Sequence, residues 1–195
     1  MDNLIFFSFV SYFLGSIPSA FFLGKLNGID IRKIGSESTT STNLSRALGW
    51  RWALISGILD ALKAMAIVSL AIKNFSGYEL VLISLMPLLG NTLPFYLKFK
   101  GGKGGATFFG IVAGLADFQY LVTRLLFFVF LVKVFKRTSV ANLLFVWIMT
   151  ALLYLDFGYY YGIIGLGSAL LISFALRKNI KRLLGKTEPE TKLKW

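Results

Sequence analysis

Apolar residues run in blocks along the chain, and most blocks end at a cluster of cations or glycines. Seven blocks approach the length of a membrane-crossing helix: residues 3–24, 52–72, 79–97, 105–117, 118–135, 139–155 and 159–176. A helix needs about 20 mostly apolar residues to cross a hydrocarbon layer roughly 30 Å thick. The pattern therefore predicts an all-α fold, a polytopic transmembrane helical bundle of about seven spans. The fourth block is short, so it is expected to be tilted, re-entrant or buried inside the bundle, and it merges with the fifth near Asp117. Gly15, Pro18 and Gly24 interrupt the first block, and Gly90 and Pro94 the third. Such breaks free backbone groups that must find protein or water partners. The opening block has no basic leader and is too long for a signal peptide, so it reads as a retained span. Residues 1–186 read as one transmembrane domain. Residues 187–195 read as a polar, disordered tail whose final Trp195 rests at the membrane interface.

Composition agrees with the pattern. Hydrophobic residues make up 56% of the 195 positions, whereas soluble domains average about 45–50%. The formal charge is +12, from 21 Lys and Arg against 9 Asp and Glu. A basic excess can signal nucleic-acid binding, but here the cations sit between apolar blocks and form no polar domain. They read as topology signals and as contacts to anions at a membrane surface. With seven spans, 18 of the 21 cations fall on one side. The positive-inside rule then puts the N-terminus outside and the C-terminus in the cytoplasm. Cysteine and histidine are both absent. Disulfides, Ser-His-Asp chemistry and most zinc sites are thereby excluded.

Two clusters carry candidate chemistry. The loop DIRKIGSESTTSTNLSR, residues 30–46, holds seven hydroxyls together with Asn43, Arg32, Lys33 and Arg46. Hydroxyls, amides and guanidinium groups are the groups that recognise phosphate. A helix starting near Thr42 would add its N-terminal amides. The same composition also fits a solvated loop with a helix cap and ordinary positive-inside arginines. The second cluster, KFKGGKGGAT at 98–107, sets Gly101, Gly102, Gly104 and Gly105 around Lys103. Bare backbone of this kind can form an anion-binding nest with a cation at its centre. It is no nucleotide-binding P-loop, because Leu97 stands where the first glycine is required and Gly104 follows the lysine. A flexible turn with snorkelling lysines is the plain alternative.

Three further features stand out. Asp60 and Lys63 share a face of the second span, either locking the bundle or supporting the site. Arg124 is expected near the outer end of the fifth span or beside Asp117. RKNIKRLLGK, residues 177–186, reads as an amphipathic basic stub, with Asn179 and Arg182 on one face.

In order, these clusters resemble the bacterial acyl-phosphate-dependent glycerol-3-phosphate acyltransferases, small seven-span membrane enzymes of phospholipid synthesis. The resemblance rests on YFLGSIPSAFFLGKL, on DIRKIGS with Thr42, Asn43 and Arg46, on GNTLPFYLKFKGGKGGAT, and on NIKRLLGKTE at 179–188. It implies acyl transfer from acyl phosphate to the 1-hydroxyl of glycerol 3-phosphate, giving lysophosphatidic acid and phosphate. By matching position it implies Ser36, Arg46 and Lys103 as catalytic residues. It implies Thr42, Asn43, Gly101, Gly102, Gly104 and Asn179 as substrate-binding residues. No cofactor is expected, and no metal, because the clusters lack a carboxylate or histidine ligand set. The partners expected are the two substrates and membrane lipids, with no nucleic acid, in a monomer of the bacterial inner membrane.

The chain departs from the family pattern in places. The first loop reads GSESTTSTN where the family usually has GSGN-x-GATN, so Glu37 and Thr40 replace glycines, Ser38 an asparagine and Ser41 an alanine. Asn91 and Leu176 stand at histidine positions of the family, Gly105 at a valine and Ala64 at a glycine. Glu37 is expected to repel substrate, to pair with a cation or to act as a general base. The departures leave open a catalytically altered or inactive paralogue that binds phosphorylated lipid precursors or a partner.

Overall fold

The computed structural model describes residues 2–190, and within them every regular element is a helix. The chain divides between Leu115 and Ala116 into two compact units.

The first unit contains α1 (Asp2–Gly15), α2 (Ser19–Leu26), α3 (Ser41–Leu48), α4 (Trp50–Asn74), α5 (Gly77–Thr92) and α6 (Gly105–Leu115). α1 and α2 form one apolar segment bent by 43° at Ser16–Pro18. Proline lacks the N–H that would continue the ladder, so the break strands carbonyls in apolar surroundings. Side chains from neighbouring helices meet them. Lys63 of α4 donates to the Ile17 carbonyl, and the Tyr96 hydroxyl donates to that of Ser16. Across the bend, Ser19 donates its N–H (3.1 Å) and its hydroxyl (2.7 Å) to Asp60 Oδ1, and Lys63 Nζ lies 2.8 Å from the same oxygen. The Asp60–Lys63 pair therefore closes the broken first segment against α4.

Small residues let the helices approach, as is usual in membrane bundles. A Cβ on Gly15 would lie 2.2 Å from the Pro87 carbonyl oxygen, and one on Gly90 2.2 Å from that of Tyr12, so α1 and α5 touch backbone to backbone. α6 packs likewise on α4: a Cβ on Gly110 would lie 2.1 Å from the Ala61 carbonyl oxygen. Thr107, Phe108, Ile111, Val112 and Leu115 of α6 are buried.

The second unit holds α7 (Phe118–Phe135), α8 (Thr138–Phe157), α9 (Tyr159–Ala175) and α10 (Arg177–Leu184). α8 and α9 pack closely, and Gly165 has room for no more than hydrogen beside Thr150. α9 and α10 are bent by 63°. Arg124 pairs with Asp156 of α8 at 3.7 Å, whereas Asp117 caps α7 by accepting the Tyr120 N–H at 2.7 Å. The expected Arg124–Asp117 pairing is thus corrected.

All seven apolar blocks are helical, and three to five of the segments they form are candidate spans by length and composition. Among the described residues, three segments are long and apolar enough to cross a membrane, and the two bent pairs raise this to five. α6, at 11 residues, is about 16 Å long, far short of the hydrocarbon thickness. α7 has 18 residues, near the lower limit, and carries Arg124 and Lys133. The expected tail splits at its start. Glu188 is buried in the second unit, and residues 191–195, with the expected interfacial Trp195, lie outside the described residues.

Candidate active site

The loop after α2 is anchored at both ends. Asp30 caps a 3₁₀ turn, accepting from the Arg32 N–H at 3.1 Å and from its guanidinium at 2.9 and 2.7 Å. The Arg32 guanidinium holds the Asp30 carboxyl well below the usual carboxylate range, with Lys25 adding a weaker pull. Arg32 also lies over the Phe21 ring at 4.8 Å, so it is engaged within the loop. Beneath it, Ala20, Ile31 and Leu44 are fully buried, with Leu23, Ile29, Leu48 and Trp52 around them. That small apolar cluster fixes α3 to the loop.

Asn43 holds the loop's shape. It is fully buried. Its Nδ2 donates to the carbonyls of Ile31 (2.7 Å), Ile34 (3.0 Å) and Ser38 (3.0 Å), and its Oδ1 accepts the Ser36 N–H at 3.0 Å. The amide expected to bind substrate is therefore engaged by backbone on both of its ends. Gly35 is required beside it. Its φ is 57°, and a Cβ there would lie 2.6 Å from Asn43 Oδ1 and 3.2 Å from Arg46 Nη1. Arg46 thus lies along the turn that presents Ser36. Thr40 caps α3, its Oγ1 accepting the Asn43 N–H at 3.2 Å, and Thr42 is half-buried in the first turn. Glu37 is exposed, in left-handed backbone at φ 56°.

The glycine-lysine loop is sewn to the end of α5. Gly101 N–H donates to the Thr92 carbonyl at 3.2 Å, and Gly102 N–H to that of Asn91 at 2.9 Å. Cβ atoms at these positions would lie 2.2 Å from the Asn91 carbonyl oxygen and 2.7 Å from Asn91 Oδ1. These two glycines permit close backbone packing, and their amides are engaged within the protein. Gly104, at φ 74°, turns the chain into α6, whose first amides follow directly after Lys103.

The two loops meet. The Cβ position of Gly102 is 3.4 Å from the Thr39 carbonyl oxygen, and that of Gly57 is 3.7 Å from Ser41 Oγ and 4.0 Å from Ala106 Cβ. Ser41 Oγ lies 3.0 Å from Ser56 Oγ of α4. Ser36, Arg46 and Lys103 accordingly belong to adjoining segments of the first unit: Ser36 in the loop before α3, Arg46 in the last turn of α3 beside the Gly35 turn, and Lys103 just before α6.

Asn179 belongs to the second unit, in a cluster that the sequence did not reveal. Its Nδ2 donates to Glu188 Oε1 at 2.6 Å, where Ser139 also donates at 2.8 Å, while Arg182 Nε binds Oε2 at 2.7 Å. Burial pushes the Glu188 carboxyl up, but the bonds from Asn179, Arg182 and Ser139 and the Arg182 charge outweigh it, so the net shift is downward. Glu188 closes the NIKRLLGKTE stretch, and that adjacency was the available signal for its involvement. Leu176, at a histidine position of the family, is fully buried at the α9–α10 bend.

This arrangement has relatives. Residues 5–186 match the family described as Glycerol-3-phosphate acyltransferase. Glycerol-3-phosphate acyltransferase 2 of Thermotoga maritima is 37% identical over 190 residues, covering 96% of each chain. Glycerol-3-phosphate acyltransferase of Desulfotalea psychrophila is 37% identical over 196 residues, covering 96% of this chain and 98% of the other. Among solved structures, PlsY (YgiH), an integral membrane glycerol 3-phosphate acyltransferase in its glycerol 3-phosphate form, superposes with a TM-score of 0.90 at 28% identity, covering 96% of this chain and 95% of that one. Its lysophosphatidic acid form gives 0.86. By sequence over nearly its whole length and by fold, the chain belongs to the glycerol-3-phosphate acyltransferase family.

Proposed function

We propose that the chain transfers a fatty acyl group from acyl phosphate to the 1-hydroxyl of glycerol 3-phosphate. The observation that carries this reading is the near-complete match to a structure in its glycerol 3-phosphate form. The adjoining placement of Ser36, Arg46 and Lys103 supports it.

The attacking hydroxyl oxygen bonds to the acyl carbonyl carbon, and the carbon–oxygen bond to phosphate breaks. Phosphate leaves with the bonding electrons and accepts the hydroxyl proton, giving lysophosphatidic acid and inorganic phosphate. Acyl phosphate is already activated, so no covalent enzyme intermediate is needed, and a chain without histidine has no use for an imidazole base. Lys103, at the amino end of α6, holds a phosphate and balances the charge that develops as it leaves. Arg46 orients the phosphate of glycerol 3-phosphate through its fork of donors. Ser36 and Thr42, the latter in the first turn of α3, donate hydroxyl bonds to substrate. Asn43, Gly101 and Gly102 act as positioning residues, and Gly104 aims the lysine. Asn179, in the second unit, is engaged by Glu188. The protein works as a monomer in the bacterial inner membrane, and the bias of its cations toward one side supports an outside N-terminus with both loops cytoplasmic.

The test is direct. Purified protein receives acyl phosphate and glycerol 3-phosphate, and phosphate release and lysophosphatidic acid are measured beside Lys103→Ala. Turnover that Lys103→Ala abolishes is the expected result. Folded protein without turnover across several acyl lengths, while still binding glycerol 3-phosphate, would overturn the reading in favour of a non-catalytic paralogue.

A further inference from the structure

We propose that Ser38 and Thr40 are positioning residues that fix the direction in which Ser36 shares its proton, an inference that rests on the acyltransferase reading above. Three hydroxyls stand in a line. Ser36 Oγ lies 2.8 Å from Ser38 Oγ, which lies 3.3 Å from Thr40 Oγ1. The line ends on the amino end of α3, where Thr40 Oγ1 accepts the Asn43 N–H.

Three hydroxyls carry three protons but share two links, so one proton points out of the line. The helix end decides which. Thr40 Oγ1 already receives an N–H, and among the described residues Ser38 Oγ is the one acceptor within reach of its own proton. Thr40 therefore donates to Ser38, Ser38 donates to Ser36, and the Ser36 proton is left to face a ligand. Each bond in such a series polarises the next, and the positive end of α3 adds to the effect. Ser36 becomes a polarised donor, which is what an anionic phosphate oxygen needs. The reverse direction would turn its lone pairs toward the phosphate and repel it. The Ser36 backbone is fixed separately, by its N–H to Asn43 Oδ1, so the line governs the hydroxyl more than the shape of the loop.

The experiment measures kcat and KM for glycerol 3-phosphate, and melting temperature, in Ser38→Ala, Thr40→Val, Thr40→Ser and the Ser38→Ala/Thr40→Val double variant. Both single losses are expected to lower kcat/KM about five- to tenfold, the scale of one hydrogen bond. Thr40→Ser is expected to recover most of the loss. The double variant is expected to be no worse than Ser38→Ala, because a broken line cannot be broken twice. Losses that add and that follow the melting temperature would make both roles merely structural and overturn the proposal. So would an unchanged kcat/KM in Ser38→Ala. If the unsubstituted protein does not turn over, the acyltransferase reading fails by itself. The same variants are then compared for glycerol 3-phosphate binding by calorimetry, where additive or absent effects overturn the line and non-additive ones sustain it.

Discussion

Removing the Asp60 carboxylate tests how the broken first segment is held. Asp60 is 6% exposed and gathers three donors on one oxygen: the Ser19 N–H, the Ser19 hydroxyl and Lys63 Nζ. Asp60→Leu keeps the bulk, leaves both Ser19 donors without their acceptor, and leaves the Lys63 ammonium with the Ile17 carbonyl but no counter-charge. An orphaned buried donor costs about 1–3 kcal/mol, and a buried charge deprived of its partner about 3–5 kcal/mol. Lys63 is 24% exposed, so part of its charge is solvated and the lower figures apply. The Ser19 hydroxyl can also rotate to another acceptor. The sum expected for Asp60→Leu is about 3–5 kcal/mol, a large share of the roughly 5–15 kcal/mol that holds a typical fold. The assay is equilibrium unfolding in mixed micelles, followed by the loss of helical circular dichroism as denaturing detergent is added. Lys63→Met on the Asp60→Leu background removes the orphaned charge and is expected to restore at least about 1 kcal/mol. A loss under about 1 kcal/mol for Asp60→Leu, or purely additive double-variant behaviour, would refute the idea that this pair holds the bend.

Three other outcomes follow from the geometry. Glu188 titrates lower in the fold than its ordinary 4.5, so its bonds contribute stability above about that pH, and the contribution is lost as pH falls through the lower folded value. Glu188→Gln is expected to flatten that acid limb in a thermal melt taken as a function of pH. Glu37→Gly relieves a left-handed backbone and is expected to raise stability by about 1 kcal/mol in the same micelle unfolding assay. If the Glu37 carboxylate repels substrate, the variant also lowers KM for glycerol 3-phosphate, and if it serves as a base, kcat falls instead. Gly110→Ala forces a methyl group to within 2.1 Å of the Ala61 carbonyl oxygen and is expected to part α6 from α4, read as a fall in melting temperature of several degrees.

Periodicity and punctuation revealed the helices well, because apolar blocks bounded by glycine, proline and cations leave little else to form in a membrane. The count of spans was less legible. α6 is apolar like a span, and only the depth of its packing on α4 distinguishes a short buried helix from a crossing one. The glycine-lysine motif marked the right segment, but its chemistry was partly misassigned. Gly101 and Gly102 look like an anion cradle in sequence, whereas their amides are bonded to α5. Asn43 shows the same limit, since nothing in its neighbours says that its amide is engaged by backbone on both ends. Glu188 was hidden for a different reason. A carboxylate among Thr, Pro and Lys looks like tail, and its burial depends on Ser139, a residue 49 positions away.

The stitching of the glycine-lysine loop to α5 makes the loop an extension of a membrane helix and no independent lid. Two loop amides are bonded to the Asn91 and Thr92 carbonyls, with no side chain between the strands of backbone. Any tilt or axial slide of α5 is therefore carried to Lys103. Helices adjust tilt to match the hydrocarbon around them. The position of the proposed phosphate-holding lysine is thus tied to the end of α5 and not to a freely moving loop.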